Sequence, residues 1–92
     1  QSNIGKGTII NTGVIIEHGC QIGEYAHIGP GAVLAGNVRV GKNSLVGAGS
    51  VVKPGVSIGN NSIVGAGSVV VKDIPDHVVY AGNPCKWLKD NE

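Results

Sequence analysis

The sequence predicts an all-β protein, a parallel β-helix built from six-residue repeats, and three observations predict it. Every sixth residue from Ile4 to Val70 is a branched aliphatic. The residue two positions before each aliphatic, from Thr8 onward, is small or β-branched. Sixteen Gly with no Phe and no Met mean that Ile and Val, which favour strands, must fill the interior.

The aliphatic series runs Ile4, Ile10, Ile16, Ile22, Ile28, Leu34, Val40, Val46, Val52, Ile58, Val64 and Val70, without a break in phase. A period of six fits neither a 3.6-residue helix nor a hairpin meander. It fits a short strand followed by a turn, three such sides closing one coil of eighteen residues. Twelve repeats then give about four coils stacked at the ordinary strand spacing of about 4.8 Å. Alternation places each aliphatic and the small residue two before it inside, with their neighbours outside. A glycine often follows the aliphatic, as in Ile22-Gly23 and Val46-Gly47.

The phase breaks at Asp73-Ile74-Pro75-Asp76, which is turn chemistry. We therefore place the β-helix at 1–75 and a capping tail at 76–92. Within the tail, His77 to Pro84 reads as an extended strand leading to a turn, and Lys86 to Asp90 as a short terminal helix. The tail is expected to pack over the last coil and close its open end.

The three outer faces differ. The first carries Gln21, Arg39, Ser57 and Pro75 and reads as solvated. The second carries Ile9, His27, Leu45 and Ile63, and the third Ile15, Val33, Val51 and Val69. Two apolar exterior stripes mark association surfaces. Two different faces that each need a partner suit a heterologous contact closing into a ring, so a homotrimer is expected. The competing reading is a monomer with an apolar surface.

A net charge of +1 gives no case for nucleic acid or a membrane as partner, and no run of 18 apolar residues is present. Two cysteines in a chain of this type are weak evidence for a disulfide, and a reducing, cytoplasmic location is expected.

Few side chains suit chemistry. His18 sits at the corner between the third and first sides, in a column continued by Gly36, Pro54 and Lys72; imidazole can take a proton from an attacking hydroxyl or amine near neutral pH. His27 lies within the apolar second face. Half a coil separates them, so within one chain they are too far apart to touch. Across the expected trimer contact, His18 of one copy faces His27 of the next. The plainer readings are a solvated corner histidine and an interface histidine with a hydrogen-bond partner.

The stacked segments Val46-Gly47-Ala48-Gly49-Ser50 and Val64-Gly65-Ala66-Gly67-Ser68 would let a long thin ligand such as the pantetheine arm of CoA approach the backbone. They are equally two well-formed repeats. Lys53, Lys72, Lys86 and Lys89 could meet CoA phosphates or be scattered surface charges. No metal is expected, because His18, His27 and His77 are the only histidines and do not form a convergent set.

The segment from Glu17 to Ile28, with Pro30 to Val38 and the tail Val79-Tyr80-Ala81-Gly82-Asn83-Pro84-Cys85-Lys86, resembles one branch of the hexapeptide-repeat acyltransferases. That branch is the bacterial sugar acetyltransferases typified by sialic acid O-acetyltransferase and the N-acetyltransferases of bacillosamine and perosamine synthesis. The resemblance implies a left-handed helix. It also implies an acetyl-CoA-dependent transfer to an amine or hydroxyl of a sugar or nucleotide-sugar, by direct attack in a ternary complex. His18 would be the general base and His27 would contact acetyl-CoA. The backbone at Ala48 and Ala66 would line the CoA groove, with Glu17 and Lys72 in support. Two departures stand out. Members often carry an acid directly after the base, where this chain has Gly19. They also carry an N-terminal nucleotide-sugar domain, which this chain is expected to lack. The alternative is a non-catalytic trimeric scaffold or CoA-binding module.

Overall fold

A computed structural model describes all 92 residues. Twelve two-residue strands recur at the spacing of the repeat: β1 (Asn3–Ile4), β2 (Ile9–Ile10), β3 (Ile15–Ile16), β4 (Gln21–Ile22), β5 (His27–Ile28), β6 (Val33–Leu34), β7 (Arg39–Val40), β8 (Leu45–Val46), β9 (Val51–Val52), β10 (Ser57–Ile58), β11 (Ile63–Val64) and β12 (Val69–Val70). Two longer strands follow, β13 (Val78–Ala81) and β14 (Lys86–Asp90). They form a left-handed parallel β-helix of about four coils.

The register is the repeat written in space. Ile4 lies opposite Ile22, Ile10 opposite Ile28 and Ile16 opposite Leu34, so each residue of one coil pairs with the residue eighteen further on. The first side is β1-β4-β7-β10, the third β3-β6-β9-β12, and the second carries β2-β5-β8-β11. So short a strand leaves much of its bonding to its flanks. Asn3 N–H donates to the Cys20 carbonyl at 2.9 Å and Gly5 N–H to that of Ile22 at 2.8 Å. Each corner turns through one residue of positive φ, and the columns differ in how they supply it. The second corner uses only glycine, at 13, 31, 49 and 67, whereas the first uses Tyr25, Asn43, Asn61 and His77 above Gly7. Asparagine tolerates this conformation better than other side-chain-bearing residues.

The interior is the predicted one. Ile28, Leu34, Val46, Val52, Val64 and Val70 are completely buried, as are Cys20, Ala26, Ala32 and Val38 in the small column. Where that column holds serine, the hydroxyl bridges coils. Ser44 Oγ donates to the Gly59 carbonyl at 2.6 Å and accepts from the Ser62 N–H at 3.0 Å. Every buried side-chain polar atom has such a partner, which burial requires. The lowest coil departs from the expected pattern: Ile4 and Ile10 point inward yet are exposed, because that coil has a neighbour on one side only.

Two details of the C-terminal segment differ from expectation. Ile74, not the residue in hexad phase, bridges Ile58. Asp73 consequently tops the first face, its Oδ1 accepting from the Ser57 N–H at 2.9 Å, and Pro75 does not. The expected helix over Lys86 to Asp90 is instead the strand β14, antiparallel to β13. Five residues cannot repay helix nucleation, whereas the free edge of β13 offers a ready row of backbone partners. β13 itself extends the second sheet beyond β11, with Ile63 opposite Val79. Tyr80 and Cys85 of this segment pack against the core. No helix of the structure is long and apolar enough to cross a membrane.

Candidate active site

The third corner presents His18. Its side chain is exposed and leans on the coil above, where Cε1 stands 3.5 Å from the position a Cβ on Gly36 would take. Gly36 is buried beneath it, so the ring rests on a seat without a side chain. Glu17 is exposed at the adjoining end of the third side and touches the neighbouring chain segment through its carbonyl, which accepts from Ser2 Oγ. Lys72 closes the same corner column three coils higher, roughly 14 Å away at the ordinary strand spacing. It lines a cleft of about 340 Å³ with Tyr80, Cys85, Lys86 and Trp87 rather than approaching His18.

His27 projects from the second face between Ile9 and Leu45, its partners in the neighbouring strands, and is half-buried among them. A single chain therefore puts the two histidines on different sides of the prism. The flanking apolar residues are partly exposed, Ile9 at 54% and Leu45 at 36% on the second face, Ile15 at 54% and Val51 at 42% on the third. Both stripes predicted from the repeat are thus present and open.

The second corner carries Ala48 and Ala66, both exposed. A Cβ on Gly29 would stand 2.7 Å from the Ala48 nitrogen, and one on Gly47 2.5 Å from the Ala66 nitrogen, so these two glycines let the coils close up. The amides of Ala48 and Ala66 donate to no backbone carbonyl of the chain. The first corner shows the contrast: there the Lys42 N–H is capped by Asn60 Oδ1 at 2.9 Å and the Asn60 N–H by Asp76 Oδ1 at 2.7 Å. The second-corner column Thr12, Pro30, Ala48, Ala66 has no Asn or Asp to do the same. Beside it, nothing lies within 4 Å of where a side chain on Gly49 or Gly67 would start. The result is an open ledge with two free N–H donors one coil apart, suited to an extended ligand that carries amide carbonyls.

The remaining polar features carry less. The broadest concavity, about 670 Å³ over the first face beside Gln21, Arg39 and Asn60, contains neither histidine. No three His, Cys, Asp or Glu side chains converge as ligands for a metal. Both cysteines are free. Burial pushes the Cys85 thiol above its usual value, with a hydrogen bond from Ser68 opposing, so it stays a protonated, weak nucleophile at neutral pH. Sequence reasoning missed one residue of the histidine corner, Asn37, although the eighteen-residue pairing places it directly above Gly19.

Residues 1–36 match the family described as bacterial transferase hexapeptide (six repeats), and residues 37–72 the one described as hexapeptide repeat of succinyl-transferase. The fold is similar to that of a histidine-to-asparagine variant of perosamine N-acetyltransferase from Caulobacter crescentus, in complex with CoA and GDP-perosamine. The two are 48% identical with a TM-score of 0.95, over 97% of this chain and 42% of that one. The acetyltransferase domain of PglB from Neisseria gonorrhoeae, in complex with acetyl coenzyme A, is 38% identical with a TM-score of 0.86, over 95% and 45%. Serine acetyltransferase from Neisseria gonorrhoeae is 27% identical with a TM-score of 0.94, over 99% and 40%. The chain thus spans less than half the length of these relatives. Comparison with curated protein sequences gives no match.

Proposed function

Because the chain belongs to the bacterial hexapeptide-repeat transferases, we propose that it moves an acetyl group from acetyl-CoA to an amine or hydroxyl of a sugar or nucleotide-sugar. The likeness to enzymes solved with CoA, acetyl-CoA and GDP-perosamine supports this choice of donor and acceptor class. The observation that carries it is the placement of the two histidines, His18 at the corner beside the open third face and His27 within the open second face. Packing the third face of one copy on the second face of the next buries both stripes and closes a ring of three. The same contact sets His18 of one copy opposite His27 of its neighbour.

The chemistry follows from that arrangement. His18 takes the proton of the acceptor amine or hydroxyl as the freed lone pair attacks the thioester carbon. The carbon–sulfur bond then breaks, and the CoA sulfur leaves with the proton that His18 returns. Holding both substrates at one contact lowers the barrier by orientation. His27 and the free amides of Ala48 and Ala66 hold the CoA arm in this scheme, and Lys72, with its neighbours in the C-terminal cleft, meets the phosphates. Glu17 adjoins the base without an evident hold on its ring. No covalent enzyme intermediate is required, in keeping with the protonated Cys85 and the buried Cys20. Two free cysteines also suit the reducing cytoplasm, where we place the protein.

Thermal denaturation with acetyl-CoA tests the donor site. At one hundred times Kd a ligand that binds only the folded state adds about 2.7 kcal/mol, a rise of several degrees in Tm for a chain of this size. An unchanged melting curve at millimolar acetyl-CoA sinks the reading and favours a scaffold without CoA.

A further inference from the structure

Tyr25 adopts a conformation that its side chain does not favour. It turns the first corner at φ 58°, in a column otherwise made of Gly7, Asn43, Asn61 and His77. A bulky residue is an outlier there, and such strain collects where a ligand is held. The residue is well fixed all the same. Its N–H donates to the Lys6 carbonyl at 3.0 Å. The ring turns down onto the first coil, with Cδ1 and Cε1 in the space a Cβ on Gly7 would fill. Part of the ring is thus seated on bare backbone, while 55% of the residue stays exposed. The other tyrosine and the tryptophan, Tyr80 and Trp87, both lie in the tail.

Its place in a ring of copies gives that strain a use. Copies that wind in the same sense run in opposite directions where they touch. With the third side of one copy on the second side of the next, the end of the third meets the start of the second. His18 ends the third side. Tyr25 and His27 begin the second, on either side of the buried Ala26. Seven residues of an eighteen-residue coil raise Tyr25 roughly 2 Å above His18, and the descent of the ring onto Gly7 takes up that step. We propose that Tyr25 is a specificity-determining residue of the acceptor site. Its exposed ring is the platform on which the C–H face of a sugar lies, the reacting amine or hydroxyl directed at His18 of the neighbouring copy. An aromatic face carries negative charge density and attracts weakly positive C–H groups. Ala48 and Ala66 stand at the far end of the second side, so the donor and the sugar approach the base from opposite ends. This inference rests on the acetyl-transfer reading, and its test is chosen so that the two can fail separately.

Tyr25→Asn removes the ring and places there the residue type the same corner uses at Asn43 and Asn61, so the coil should fold. Tyr25→Phe keeps the ring and drops only the hydroxyl. The probe acceptor is a nucleotide-linked amino-hexose, and the full chain is used throughout. Tyr25→Asn is expected to raise the KM for this acceptor roughly tenfold, with kcat and the KM for acetyl-CoA close to wild type. Tyr25→Phe is expected to match wild type in all three. A ring that only braces the first coil would instead lower Tm and leave the acceptor KM alone. A second measurement needs neither turnover nor a variant: intermolecular NOEs between the Tyr25 ring protons and the bound sugar of the probe, expected in the wild-type protein. An unchanged acceptor KM in folded Tyr25→Asn overturns the inference, and so does a bound probe without those NOEs. A wild-type protein that shows the NOEs but transfers no acetyl group sinks the acetyl-transfer reading alone.

Discussion

His18→Ala is expected to lower kcat for acetyl transfer by about 10²–10⁴-fold, the usual worth of a positioned general base. The ring is exposed and rests on a glycine, so its removal empties no core and leaves the coil register intact. Stability and the KM for acetyl-CoA should therefore stay close to wild type, because the free amides of Ala48 and Ala66 lie at a different corner. Steady-state kinetics with a CoA-binding titration check this: kcat should fall while binding of acetyl-CoA holds. A His18→Ala protein that binds CoA and turns over at the wild-type rate ends the assignment.

The second large effect is expected from a charge placed on either apolar stripe. Leu45→Asp on the second face, or Val51→Asp on the third, puts an unpaired carboxylate into each contact of the ring. Such a charge costs several kcal/mol when buried without a partner, and each 1.4 kcal/mol weakens association tenfold. Both side chains point outward and are exposed in the single chain, so the solenoid itself should survive, with unchanged circular dichroism. Sedimentation should then give the mass of one chain, 9.3 kDa, and acetyl transfer should fall with it. Arg39→Asp on the polar first face is the control and should leave assembly and rate alone. Activity retained by a monomeric Leu45→Asp protein would show that one chain holds a complete site.

Most of the fold was legible because a hexad repeat specifies both contact and direction. Once Ile4, Ile22, Val40 and Ile58 are seen to share a phase, their pairing at eighteen residues follows, and alternation decides what is buried. Legibility stopped where the period did. Nothing local tells that Ile74 rather than its hexad-phase successor meets Ile58. Whether Lys86 to Asp90 coils or extends depends on the free edge of β13 beside it, which no short window of sequence contains. The candidate site divides the same way. His18, His27, Ala48 and Ala66 could be placed by counting, since each lies on a definite face or corner. Asn37 escaped because its carboxamide crosses between coils onto Gly19, which a one-dimensional repeat does not display.

Mixing two inactive proteins tests most directly whether the site is shared between copies. His18→Ala and His27→Ala chains, unfolded together in equal amounts and refolded, form mixed rings. A contact in which the intact His18 of one copy meets the intact His27 of the next arises in about a quarter of cases. The account predicts recovery of about that fraction of wild-type turnover, from two proteins that show almost none when refolded alone. Mixed rings that stay as inactive as the separate variants would contradict a site built from neighbouring copies.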